Sequence, residues 1–214
     1  MIDSIDRYAS MFEQLDAKNE GAFVPFVMVG DPDIQTSVNI IKALVEGGAD
    51  GLELGFPYSD PIADGPTIQK ASIRALSNKI KTDDCFEIIR QVRETYADIP
   101  IGLLLYSNLI LKRSIEKFYQ DAAKAGVDSI LIADVPLREA DRFIAIAEQT
   151  GIKQILIAPP NASDETFAQI GKKSQGYTYL LGRAGVTGAE TAVTIPASEL
   201  IDKLTQYKVA PPLL

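Results

Sequence analysis

Apolar positions along the chain recur with two periods. Short runs rich in Val, Ile, Leu and Tyr occupy 22–29, 51–55, 101–106, 129–133, 153–158 and 177–181. They are apolar at almost every position, as expected of strands covered on both faces. Between them the apolar residues return every three or four positions. That spacing predicts amphipathic helices over 4–16, 36–46, 66–76, 82–96, 114–125, 137–150, 164–171 and 197–207. Gly47-Gly48, Gly126 and Gly151 stand where left-handed caps end helices, and Pro66 and Pro196 stand where helices begin.

Strands alternating with helices predict a parallel sheet with crossover helices, closed as a (βα)8 barrel or open and doubly wound. Val29-Gly30-Asp31-Pro32, Leu54-Gly55-Phe56-Pro57 and Ala133-Asp134-Val135-Pro136 repeat a turn-rich signature at strand ends. A functional loop after every strand is the barrel's habit, whereas an open sheet concentrates function at one switch point. The visible pattern amounts to six βα units behind an N-terminal helix. A closed barrel needs two more units, roughly 50 residues. The expectation is therefore a single α/β domain over 1–214, a (βα)8 TIM barrel that is incomplete and C-terminally truncated. The terminal Leu213-Leu214 is positioned to begin a seventh strand.

Composition removes whole classes of chemistry. The chain has no His and one cysteine, Cys85. Ser-His-Asp and Cys-His nucleophile systems, His-ligated zinc and intrachain disulfides are excluded, and no metal site is expected. The formal net charge of −8 is opposite to that of a generic nucleic-acid or anionic-membrane binder. The first residues lack a basic segment followed by an apolar one, and no apolar run is long enough to span a bilayer. A cytoplasmic enzyme or small-molecule binder is expected, with no nucleic-acid or membrane partner.

Glu53 lies in Gly51-Leu52-Glu53-Leu54-Gly55. Strand side chains alternate, so the leucines face the helices and Glu53 points into the barrel between two glycines. An inward carboxylate is costly unless paired, and desolvation raises its pKa toward the range useful to a general acid/base. The alternative is a structural glutamate paired with an Arg or Lys; none lies within ten positions. Asp60 and Asp64 follow in a stiff loop containing Pro57, Pro61, Gly65 and Pro66. Asp64 reads either as a catalytic carboxylate or as the turn that opens the next helix. In Gly182-Arg-Ala-Gly185-Val-Thr-Gly188 the glycines allow backbone N–H groups to approach a phosphate, or simply make a flexible loop. Arg183 and Thr187 can contact a ligand or close a lid there. Tyr179 reads equally as core or ligand-binding, Asp134 as catalytic or, as its spacing favours, a helix-start turn, and Cys85 as an inner-face helix residue.

Taken together these segments resemble the tryptophan synthase α subunit family. The matching stretches run from Gly21-Ala-Phe-Val-Pro-Phe26 through Gly30-Asp-Pro32, Leu52-Glu-Leu-Gly55 and Pro57-Tyr-Ser-Asp-Pro-Ile-Ala-Asp-Gly-Pro-Thr-Ile-Gln69. They continue with Pro100-Ile-Gly-Leu-Leu104, Tyr106, Asn108, Ala133-Asp-Val-Pro136, Ala158-Pro-Pro-Asn161 and Gly176-Tyr-Thr-Tyr-Leu-Leu-Gly-Arg-Ala-Gly-Val-Thr-Gly188. The resemblance implies a (βα)8 barrel that cleaves indole-3-glycerol phosphate to indole and glyceraldehyde 3-phosphate, a retro-aldol step of tryptophan biosynthesis without metal or Schiff base. It implies Glu53 as general acid/base and Asp64 as acceptor for the indole N–H. Phe26, Leu104, Tyr106 and Tyr179 match pocket residues; Gly188 matches a phosphate-binding glycine, with Arg183 and Thr187 on its lid loop. Pro57, Asp60, Asn108 and Pro136 match positions facing a β subunit in an αββα heterotetramer. Pyridoxal phosphate is expected in that partner and no cofactor in this chain. Met28 and Gly182 depart from the small hydroxyl residues of many relatives.

The family pattern continues for two further strands, whose loops complete the phosphate site. Their lack implies a second reading, a catalytically impaired docking or activating module for the β subunit. A third, another phosphate-binding barrel enzyme of amino-acid biosynthesis, is disfavoured by the Leu52–Gly55 and Ser59–Gly65 segments.

Overall fold

The computed structural model describes residues 6–181, 197–207 and 210–213. Helix α1 (Arg7–Lys18) precedes β1 (Phe26–Met28), α2 (Ile34–Glu46), β2 (Leu52–Gly55), α3 (Pro66–Ser77), α4 (Thr82–Thr95) and β3 (Ile101–Leu105). There follow α5 (Ser107–Leu111), α6 (Ile115–Ala125), β4 (Ser129–Ile132), α7 (Asp141–Thr150), β5 (Lys153–Ala158), α8 (Asp164–Lys173), β6 (Thr178–Leu180), α9 (Ala197–Gln206) and β7 (Pro212–Leu213). Every strand pairs in parallel with its sequence neighbour, in the order β1-β2-β3-β4-β5-β6-β7. A doubly wound sheet reverses its order at a switch point. The unbroken order among the described strands is that of a barrel wall.

The strands separate two apolar regions by simple alternation. Leu52, Leu54, Ile101, Leu103 and Leu105 face outward onto Ile41, Phe86, Ile88, Ile89 and Phe118 of the surrounding helices. These side chains are almost wholly buried, and each contributes roughly 1.5–3 kcal/mol by leaving water. On the inner face, Leu131, Ile155 and Tyr177 pack with Tyr8, Met11 and Leu15 of α1. Helix α1 thus closes the end of the wall from which the strands begin. Asp6 caps it, accepting from the Ala9 N–H at 3.1 Å, and Asn19 ends it with a left-handed φ of 56°. At this end Asp128 accepts from Arg7 Nη1 at 2.8 Å, Arg93 Nη2 at 2.7 Å and the Ile101 N–H at 2.8 Å. Arg93 also donates to the carbonyls of Tyr96, Ala97, Ile99 and Gly126.

Several boundaries differ from the sequence expectation. Strand β1 is shorter than 22–29 because Pro25 has no N–H for the ladder, although its carbonyl still accepts from Glu53 at 3.1 Å. Gly126 and Gly151 do cap helices with positive φ, but Gly47 has φ −79° and the left-handed residue is Gly48. The 137–150 stretch splits into a 3₁₀ turn (Leu137–Glu139) behind Pro136 and then α7. Helix α5 lies where no helix was expected. Its N-terminus is held from a distance, with Ser107 N–H and Oγ each donating to Asp134 at 2.8 Å. That same contact corrects the helix-start reading of Asp134: its side chain supports the neighbouring strand's loop, and the turn that follows is capped by Pro136. Strand β6 is not the sheet's edge, because Thr178 and Tyr179 register with Pro212 and Leu213.

Candidate active site

Alternation in β2 places Glu53 on the inner face, level with Phe26 on β1 and Gly102 on β3. The side chain is 8% exposed. Its partner is a phenol rather than a cation: Tyr177 Oη donates to Oε1 at 3.1 Å. Tyr8 from α1 packs its ring 5.3 Å from that of Tyr177, and its hydroxyl shares a 2.8 Å hydrogen bond with Ser129 Oγ. Gly102 leaves the room this cluster needs. A Cβ there would stand 2.8 Å from Ser129 Oγ and 2.9 Å from Tyr8 Oη. Gly55 does the same one layer on, where a Cβ would meet the Phe26 ring at 2.5 Å.

Burial pushes the Glu53 carboxyl up to about 7, and the Tyr177 donation partly offsets the shift. Burial and the Glu53 charge raise the Tyr177 phenol well above its ordinary value, so it stays a proton donor. Among the described residues no ion pair forms at Glu53. The structural alternative of a glutamate neutralised by Arg or Lys therefore has no support.

Asp64 sits in the loop after β2 and is 7% exposed. It is not the helix cap; that position is Gly65, with Pro66 opening α3. The loop is pinned around it. Asp64 N–H donates to the Pro61 carbonyl at 3.1 Å, and Gln69 Nε2 donates to the Asp64 carbonyl at 2.8 Å. The Ala63 N–H donates to Tyr106 Oη at 3.0 Å. Burial raises the Asp64 carboxyl, while the Tyr106 hydroxyl favours its charged form. Tyr179 is half-buried; burial, then the charges of Glu53 and Asp64, raise its phenol to about 12. One phenol thus feels both carboxylates. Phe26 and Leu104 are half-buried on the same inner face, and Tyr106 is buried where β3 ends.

The expected partner-facing residues follow β2, β3 and β4 and share the end of the wall where the strands finish. Asp60, Asn108 and Pro136 are exposed; Pro57 is buried and lines a cavity of about 570 Å³ with Leu109 and Lys112. Asn108 Nδ2 donates to Tyr58 Oη at 2.7 Å. Arg183, Thr187 and Gly188 lie outside the described residues. Cys85 is buried on the inner face of α4, and burial pushes its thiol up. A second cavity, about 480 Å³, opens beyond Leu131 and Ile155, where β4 and β5 cease to pair. It is lined by Ala133, Ile155, Ile157 and Leu181 among others and does not reach either carboxylate. Among the described residues no group of three His, Cys, Asp or Glu is placed to hold a metal ion.

Sequence reasoning missed Tyr8, Gly102, Ser129 and Tyr177 as neighbours of Glu53. Tyr177 had a legible signal, because it precedes Tyr179 by two and shares its face. Gly102 had a weaker one, an empty side chain at an inward position. Tyr8 had none, because nothing local says where α1 docks.

The chain is similar to known proteins in sequence and in fold. The family model described as tryptophan synthase alpha chain matches residues 12–214. A tryptophan synthase alpha chain from Vibrio parahaemolyticus is 56% identical over 210 residues, 98% of this chain and 78% of the relative. The crystal structure of tryptophan synthase subunit alpha from Legionella pneumophila is similar with a TM-score of 0.83 at 33% identity, over 96% of this chain and 74% of that one. The tryptophan synthase complex of Pyrococcus furiosus contains a chain similar with a TM-score of 0.79 at 35% identity, over 90% and 76% of the two chains.

Proposed function

The chain belongs to the tryptophan synthase alpha chain family, and from that premise we propose that it is a carbon–carbon lyase using Glu53 and Asp64 to cleave indole-3-glycerol phosphate. The observation that carries this reading is the inward Glu53, buried with no cation beside it among the described residues and poised at about 7.

Cleavage breaks the bond between the indole ring carbon and the glycerol chain. The ring carbon gains a proton, and the hydroxyl that becomes the aldehyde loses one. The net change is one proton moved from oxygen to carbon. A single carboxyl can serve both ends if it gives and takes protons near neutral pH, which an ordinary glutamate does poorly and Glu53 does well. Positive charge develops on the ring system while its carbon is protonated. Asp64, accepting from the ring N–H, stabilises that charge more in the transition state than in the bound substrate. Phe26, Leu104 and Tyr179 supply an apolar wall for the ring. Tyr177 holds Glu53 in place without neutralising it.

The solved Pyrococcus relative is a tryptophan synthase complex. By the same reading, Asp60, Asn108 and Pro136 face a β subunit in an αββα assembly in the cytoplasm. The test is indole release from indole-3-glycerol phosphate by this chain with active β subunit. Glu53→Gln is expected to lose at least about 10²-fold in turnover with the fold kept. Turnover close to the parent's would overturn the assignment.

A further inference from the structure

Three prolines stiffen the loop after β2 and the Asp64 N–H is held by the Pro61 carbonyl, yet they leave open how the preceding 62–63 peptide is held. The Ala63 N–H donates to Tyr106 Oη at 3.0 Å, so the Tyr106 hydroxyl sets that peptide's position. Tyr106 is itself braced. Its ring stacks on Tyr58, with centroids 5.2 Å apart and planes 29° from parallel. Tyr58 is held at its far end, where Asn108 Nδ2 donates to its hydroxyl at 2.7 Å. Asn108 belongs to α5, whose first residue is tied to Asp134 after β4 by two 2.8 Å bonds. A continuous set of contacts therefore runs from the end of β4 through α5 to the catalytic loop.

We propose that Tyr58 and Asn108 are positioning residues for Asp64, acting through Tyr106, so that the aromatic stack and not the loop alone aims the carboxylate. Neither residue needs to touch substrate for this. A hydroxyl whose ring is clamped between a neighbour and its own strand has one place to accept the Ala63 N–H. With the clamp loosened, the 62–63 peptide that leads into Asp64 gains freedom, and small errors of aim at a charge-stabilising group lower the rate steeply. The groups that bear on this carboxylate are Tyr106 and Tyr179, with Asp134 within electrostatic reach of Tyr106.

The proposal rests on the lyase reading, and two readouts keep the two separate. The first is steady-state cleavage by Tyr58→Phe, Asn108→Ala, their double variant, and each in a Tyr106→Phe background. Each single change is expected to lower kcat about threefold to tenfold, the effect of one displaced hydrogen bond, with KM within twofold. The double variant should lose no more than the larger single, and neither change should cost further once Tyr106 is Phe. The second readout needs no turnover: the carboxyl ¹³C titration of Asp64, assigned by its loss in Asp64→Asn. Its midpoint should move upward in Tyr58→Phe and Asn108→Ala, as in Tyr106→Phe, while that of Glu53 stays. Additive losses, or an Asp64 midpoint unmoved in both, would overturn the proposal. A parent chain that releases no indole but shows the coupled titration would sink the lyase reading and leave the positioning set standing.

Discussion

Replacing Glu53 by Gln should stabilise the protein, by an amount set by pH. The carboxyl ordinarily titrates at 4.5 and in the fold at about 7. Between those values the folded state binds more protons than the unfolded one, so the parent loses stability as pH rises through that window. Glutamine has the same shape and no charge to desolvate. With 4.5 for the unfolded chain and 7 for the folded, the penalty carried by the parent is about 1 kcal/mol at pH 5. It grows to about 3 kcal/mol at pH 7 and is nearly flat above pH 8. In a domain of this size that corresponds to a Tm difference of roughly 6–12 °C near pH 8 and a few degrees at pH 5. The amide nitrogen can no longer accept from Tyr177, which subtracts about 1 kcal/mol if the amide turns the wrong way. That correction is independent of pH, so the slope of the difference is the diagnostic. Urea unfolding of both proteins from pH 5 to 8, followed by circular dichroism, measures it. A difference that stays constant across that range would mean Glu53 ionises at its ordinary value, and the argument for a poised acid/base would fail.

Asp64→Asn should lower turnover by about 10²–10³-fold, the usual cost of removing one charge-stabilising group, while binding of an inert phosphate analogue changes little; equal losses in both would assign Asp64 to binding alone. Gly102→Ala drives a Cβ to within 2.8 Å of Ser129 Oγ and 2.9 Å of Tyr8 Oη. It should cost about 1–3 kcal/mol and disturb the Tyr8–Tyr177 packing, and an unchanged Tm would show that the cluster yields easily. Asp128→Asn leaves Arg7 and Arg93 without their carboxylate. A loss of about 2–4 kcal/mol is expected, with the activity per folded molecule little changed because the Asp128 side chain pairs with Arg7, Arg93 and the Ile101 N–H and bonds to neither carboxylate; a selective loss of turnover would contradict that separation. Cys85 should react with a thiol reagent only on unfolding, since its buried thiol is held protonated, and rapid labelling of the native protein would refute the packing of α4.

Sequence pattern was enough for most of the elements, their parallel pairing and the side of β2 that Glu53 occupies. Those properties follow from local periodicity: a period of two in Gly51–Gly55 decides the face, and helical spacing decides where crossovers run. The same reasoning failed where a remote side chain settles a local question. Helix α5 exists because Asp134, from the next strand's loop, holds its first residue. Asp64 could be read from spacing as a cap, and only the fold shows Gly65 in that role and Tyr106 beside the carboxylate. Glu53 was legible as an inward acid, but its partner was not. Tyr177 lies 124 residues away and Tyr8 arrives on a helix whose docking no local pattern specifies. Local patterns report which face a side chain takes, because that depends on backbone geometry within a few residues. The burial of Glu53, its Tyr177 partner and hence its raised pKa depend on what distant segments place around it, and those were decided only when the wall and α1 came together.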